Sequence, residues 1–245
     1  MEDGLIVLEQ EIGLKEIARI VEQTARWVAP ETFKLLPVWY PEYARRQFFF
    51  KGNWAEPQLN KSRVTGQSSH KQEGNVHANK ALCEALGISK QERPNWTCCH
   101  IWGRDDLKFQ NSNTVVTDNR FFSCVGNMLL LPGPLKAFTD LMPRLKTMLR
   151  VCASHLYAWR CDTEDTRAEL MAVDTFNEWD SYPKTWPSNT HPERRPLGVV
   201  ELNDKIRNRA EVRKASIKRA LKEAGPEYPR ERVRKALAYW NVALD

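Results

Sequence analysis

The stretch NWTCCHIWGRDDLKFQNSNTVVTDNRFFSCVGNMLLLPGPLKAFTD, residues 95–140, decides how this chain is read. Residues 96–102 are dense in β-preferring side chains and stop at Gly103, and a second apolar run, residues 121–131, stops at Pro132. The eighteen residues between the two runs are polar and carry Asp105, Asp106, Asn111, Asn113, Asp118 and Asn119. After Pro134 the apolar positions Leu135, Phe138, Leu141 and Met142 change to helical spacing. A fresh helix is expected from Asp140 or Pro143, with Leu145, Met148, Leu149, Cys152 and Leu156 on one face. The block therefore reads as strand, long polar loop, strand, helix, helix.

Upstream, residues 14–28 place Leu14, Ile17, Ala18, Val21, Ala25 and Val28 on one stripe of a helix stopped by Pro30, with core as the favoured destination and a partner subunit as the alternative. Residues 37–57 interleave Trp39, Tyr40, Tyr43, Phe48, Phe49, Phe50 and Trp54 with Arg45, Arg46 and Lys51, which either contact bases or phosphates or, the favoured reading, form an irregular segment pinned to a core by its rings. Residues 60–76 read as an exposed loop flanked by two surface histidines, His70 and His77, and a helix closed by Gly87 is expected next. Downstream, residues 174–198 are a proline- and tryptophan-rich connector. A basic helix over 202–223 is expected to turn Ile206, Ala210, Ile217 and Leu221 inward, and a last helix to run to about residue 244. The fold expected is α+β and mainly helical, in three stretches: residues 1–94, 95–173 and 174–245.

Composition bounds the function. With 42% hydrophobic and 28% charged residues in 245, the chain is neither disordered nor fibrous. The longest apolar run without a charge, residues 121–135, is too short and too broken by Asn127, Pro132 and Gly133 to cross a bilayer. The start, MEDGLIVLEQEIG, is acidic where an export signal is basic, so the reading is a cytoplasmic protein, no membrane partner, and six reduced cysteines. The net charge is +6, and residues 193–245, with 14 basic and 8 acidic side chains, hold all of that surplus. Lys and Arg on those helices either grip phosphates or merely solvate a helix face.

A histidine ending one strand, facing a polar loop, with an asparagine on the next strand and a helix after it, suits phosphodiester hydrolysis. Neutral imidazole deprotonates water near neutral pH, an amide orients the imidazole, and a cation held by oxygen ligands neutralises the departing oxygen. On the residues alone, His100 as a space-filling histidine among Trp96, Cys98, Cys99 and Trp102 is the plainer account. Zinc is disfavoured because Cys98, Cys99 and Cys124 lack paired spacing, and a Cys99 nucleophile because Cys99 and His100 point to opposite faces of a strand. No glycine-rich phosphate loop recommends a small phosphorylated substrate.

At these residues the chain resembles the HNH, or ββα-metal (His-Me finger), nucleases, particularly their restriction-endonuclease-like branch. CHIW at 99–102, NMLLLP at 127–132 and LKAFTD at 135–140 carry the resemblance, over about 45 of 245 residues. It implies a small core of two antiparallel strands plus a helix. It also implies a DNA endonuclease of restriction or anti-phage type that uses Mg²⁺, with Mn²⁺ as a substitute. Matched positions make His100 the general base and Asn127 the middle asparagine, which would orient it. Two positions depart: Cys99 stands where many members have a metal-binding Asp, and Lys136 where many have a helix His or Asn. Asp140 is the substitute ligand, with Asp118, Asp105 and Asp106 from the loop as further candidates. Arg207, Arg213, Lys214, Lys218 and Arg219 are the expected contacts to double-stranded DNA, and a homodimer through residues 14–28 or the C-terminal helices is the expected assembly for cutting both strands. The competing expectation is a non-catalytic nucleic-acid-binding protein on a degenerate scaffold of the same kind.

Overall fold

The computed structural model describes residues 3–103 and 113–244. Helices α1 (Gly4–Ile12) and α2 (Leu14–Thr24) lead into a two-residue strand, β1 (Trp27–Val28), and a short helix, α3 (Pro30–Leu35). Two small hairpins follow, β2 (Phe50–Lys51) with β3 (Glu56–Pro57), then β4 (Leu59–Lys61) with β5 (Ser68–His70). Next come α4 (Val76–Ala85), β6 (Trp96–His100), α5 (Thr114–Thr117), β7 (Met128–Pro132), α6 (Lys136–Leu141) and α7 (Pro143–Tyr157). The chain closes with α8 (Arg167–Asp174), β8 (Val199–Val200), α9 (Asp204–Glu223) and α10 (Arg230–Tyr239). Helix outweighs strand, and the fold is α+β. Among the described residues no helix is long and apolar enough to cross a membrane.

The pairing of β6 with β7 is antiparallel, from Trp96 opposite Pro132 to His100 opposite Met128. The second strand is shorter than its apolar run: residues 125–127 form a 3-10 turn, because the backbone there bonds across to the chain beyond β6 and not along a ladder. Helix α6 ends at Leu141, the extended backbone of Met142 precedes Pro143, and α7 then buries Leu145, Met148, Leu149, Cys152 and Leu156 as its periodicity requires.

Helix α2 stops four residues short of the expected end. Arg26 exchanges backbone hydrogen bonds with Leu130 of β7 at 2.8 and 3.0 Å, and Trp27 donates to the Gly198 carbonyl at 2.9 Å, so Trp27 and Val28 become a strand parallel to β8. Long-range backbone pairing overrides local helical periodicity here. The stripe of Leu14, Ile17, Ala18 and Val21 is buried in the chain's own core, which removes it as a subunit interface. Residues 60–70 are exposed as expected but are partly ordered by the β4–β5 hairpin, whereas Glu73, in the same expected loop, is buried. Gly87, at φ +69°, closes α4, and α10 ends at Tyr239, five residues before the expected stop. All six cysteines are free and buried.

One hydrophobic core takes residues from all three stretches, including Val21 and Trp27, Leu129 and Met148, and Trp186 and Ala210. A satellite cluster of Ile217, Tyr228, Val233 and Leu237 joins α9 to α10. At the seam between β1 and β8, a Cβ added to Gly198 would lie 1.8 Å from the Ala25 carbonyl oxygen. Because a backbone atom cannot rotate away, Gly198→Ala is expected to cost roughly 3 kcal/mol through overpacking. Urea unfolding measures it, and an unchanged midpoint would show that the seam is not under this constraint.

Candidate active site

His100 ends β6 and is half-buried. Its Nε2 lies 2.9 Å from the carbonyl oxygen of Phe122, with the two rings nearly parallel at 5.9 Å. A carbonyl only accepts, so in the neutral ring Nε2 carries the proton and Nδ1 keeps its lone pair. Burial lowers the imidazole pKa from its ordinary 6.5 to about 4; the Phe122 bond opposes this shift, Arg45 and Lys146 reinforce it, and Asp140 opposes it. At neutral pH the group is an unprotonated base.

The orienting partner of His100 is thus a backbone carbonyl and not the Asn127 amide that the sequence suggests. Asn127 is fully buried, its Oδ1 accepting from Trp102 N–H at 2.7 Å and its Nδ2 donating to the Phe121 carbonyl at 3.2 Å. Its own carbonyl accepts from Ile101 N–H at 2.9 Å. Asn127 therefore acts on His100 indirectly, by fixing the residue before Phe122 and the two residues after His100. Arg150 completes the arrangement from α7: fully buried, it donates to the carbonyls of Ile101 at 3.2 Å and Gly103 at 2.8 Å.

The expected metal ligands are otherwise engaged. Asp140 is close enough to influence His100, but it forms an ion pair with Lys136 one turn back on α6. Asp118 is held by Arg120 through Nε at 3.0 Å, Nη2 at 2.6 Å and the backbone N–H at 2.8 Å. The Cys99 thiol is pushed up to about 11 by burial and stays protonated, which makes it no ligand for a hard cation. Among the described residues, no three His, Cys, Asp or Glu side chains gather in a metal-holding group. Asp105, Asp106 and Asn111 lie outside the described residues.

The basic helix is only partly available to a ligand. Arg213, expected to contact phosphate, is turned inward: its Nε donates to the Trp39 carbonyl at 2.5 Å, it pairs with Glu42, and its guanidinium lies 4.3 Å from the Tyr40 ring centre. A buried carboxylate and an aromatic face outcompete solvent for this side chain. Lys214 is half-buried beside Glu211 at 3.2 Å, whereas Arg207 and Arg219 are exposed and Lys218 is half-exposed. His77 is not a free surface histidine: it stacks on Tyr43 at 3.4 Å and its Nδ1 lies 2.5 Å from Glu73.

Sequence reading misses Arg45, Lys146 and the Phe122 carbonyl. Arg45 sits far upstream of the motif, Lys146 follows it on the next helix without a pattern to mark it, and the third is a backbone atom with no side-chain signature. Two measurements check this site. Asn127→Ala strands the Trp102 N–H and the Phe121 carbonyl and is expected to lower stability by roughly 2–4 kcal/mol in urea unfolding; a loss well under that would disprove the hinge role. Nitrogen-detected NMR is expected to find His100 protonated on Nε2 and titrating near pH 4. Because the folded pKa is depressed, the unfolded chain takes up the proton first. This histidine's contribution to stability is therefore complete above about pH 6.5 and is lost as pH falls towards 4. A titration near 6.5 would refute that. Compared with known proteins, the chain matches no family model, no curated protein and no solved structure.

Proposed function

We propose that the chain is an endonuclease of the HNH kind that hydrolyses phosphodiester bonds in double-stranded DNA, in a restriction or anti-phage setting. His100 is its general base, and β6, β7 and the helices after them are its catalytic unit. The observation that carries the reading is the tautomer of His100: Nε2 is committed to the Phe122 carbonyl, which leaves Nδ1 as an oriented, unprotonated base. Water at Nδ1 gives up a proton to the imidazole and attacks phosphorus, and the bond to the leaving oxygen breaks. Arg45, Lys136 and Lys146 carry positive charge around the imidazole and Cys99. Cations in such a position favour the extra negative charge of the transition state.

In the family that the motif resembles, Mg²⁺ neutralises the leaving oxygen. Among the described residues, Asp140 is the one expected ligand near the imidazole, and Lys136 already neutralises it. That set falls well short of the roughly six oxygens that Mg²⁺ takes. The same two observations, the Lys136–Asp140 pair and the protonated Cys99, favour a second reading: a nucleic-acid-binding protein that keeps the scaffold without catalysis. An enzyme with one site per chain that cuts both strands works as a symmetric pair. With the face of α2 enclosed in the core, the C-terminal helices remain as its interface.

The test incubates supercoiled and linear DNA with the protein in Mg²⁺, Mn²⁺ or EDTA. Cleavage by the wild type, reduced at least about 100-fold in His100→Ala with DNA binding retained, is the expected outcome. Intact DNA from both proteins under every condition, together with tight salt-sensitive binding, overturns the nuclease and leaves the binding protein.

A further inference from the structure

A cleft of about 700 Å³ is walled by residues 45–47, by residues 114–120 and by α10, and Arg45, Arg46, Arg120, Arg232 and Lys235 all line it. Among the described residues its one lining carboxylate is Asp118, which Arg120 holds. Like charges at this density repel one another in a partly desolvated groove, and burial together with Arg46 depresses the Arg45 guanidinium. The Lys235–Glu231 pair beside it is exposed on both sides and offsets little.

The walls are tied together by specific bonds, so the cations do not relax apart. Gln47 Nε2 donates to Asn119 Oδ1 at 2.9 Å, and Asn119 Nδ2 donates to the Pro41 carbonyl at 2.8 Å. The backbone N–H of Arg45 donates to the Val116 carbonyl at 2.9 Å. At the end of α10, Trp240 Nε1 donates to the Arg120 carbonyl at 2.8 Å. A rigid groove that holds cations together against their mutual repulsion is complementary to a polyanion, and regularly spaced phosphates along a strand are the polyanion that fits a linear track.

The groove has a direction. Arg120, which lines it, stands two residues before the Phe122 carbonyl that orients His100, and Arg45, which also lines it, is near enough to act on the imidazole. At its other side a second cleft, of about 640 Å³, shares Arg46, Gln47 and Arg232 and continues past Phe48 and Phe50. We propose that one DNA strand lies in this groove, its phosphates on Arg232 and Lys235 and drawn by the positive charge of Arg45 on the facing wall, and is led by it to His100. The DNA track is thereby the groove beside α10 and not the outer face of α9. The direction of the track rests on the nuclease reading; the groove as a strand-binding site does not.

Binding of the full chain to a labelled DNA duplex, by anisotropy in EDTA across a salt series, tests this without cleavage. Arg232 and Lys235 lie on exposed positions of α10, so Arg232→Ala with Lys235→Ala leaves the fold intact, which circular dichroism checks. This pair is expected to weaken binding and to reduce the slope of log affinity against log salt by about 2, since each phosphate that a cation neutralises adds about 0.9 to it. Lys205→Ala, on α9, is expected to leave the slope unchanged. A slope that falls in Arg207→Ala with Lys218→Ala and not in the α10 pair overturns the proposal, as does tripolyphosphate binding as tightly as the duplex. His100-dependent cleavage with an unaltered slope in the α10 pair removes the groove and keeps the nuclease. A reduced slope with no cleavage does the reverse.

Discussion

The ends of β6 and β7 are closed by one buried polar knot, and the candidate site hangs from it. Asn127 receives the N–H of Trp102 in its side chain and that of Ile101 in its main chain, while Arg150 takes the carbonyls of Ile101 and Gly103. Three consecutive residues after His100 leave the ladder here, and their backbone groups need partners in a region with no water to supply them. Because each bond is made in low dielectric and leaving one unmade is costly, the knot admits one geometry. The strand therefore ends at His100, and the direction of its side chain follows.

The same knot sets the chemistry of the imidazole. By holding the Phe121 carbonyl, the Asn127 amide fixes the backbone that presents the next carbonyl to Nε2. Burial keeps the ring neutral, so it enters any reaction as an acceptor. A base with a pKa near 4 is weak in the free protein, but an anionic phosphodiester near Nδ1 would favour the imidazolium and raise its basicity. Arg45 and Lys146 work against protonation of the ring, so an anion bound beside them would couple its binding to proton uptake.

Much of the charge that marks residues 193–245 in the sequence has work inside the fold. Arg213 crosses to Glu42 and Tyr40, and Arg209 donates to the carbonyls of Cys83 in the last turn of α4 and of Ile88 just beyond it. These bonds pin α9 to the aromatic segment and to α4. Arg232 and Lys235 of α10 instead face Arg45 and Arg46, which belong to a part of the chain with no net charge bias. Charge counted along a sequence and charge presented on a surface thus differ.

Local patterns were legible wherever the period matched the final burial. The apolar face of α7, the Gly87 closure of α4, the inward Ile206, Ala210 and Ile217 of α9, and two strands ending near His100 and Pro132 all follow from side-chain spacing. By itself, then, the sequence pointed to an α+β chain with a histidine at the end of one strand and an asparagine at the next, while the burial of that asparagine in a turn just before β7 came from the fold. Tertiary structure decided what spacing does not encode: β1 replacing the last turn of α2, Arg213 facing inward, Asp118 held by Arg120, and Phe122 in place of Asn127 as the partner of His100. Periodicity reports which face of an element is apolar. Ion pairs and backbone hydrogen bonds instead join groups far apart in the chain, and only the folded geometry brings their donors and acceptors within hydrogen-bonding reach of each other.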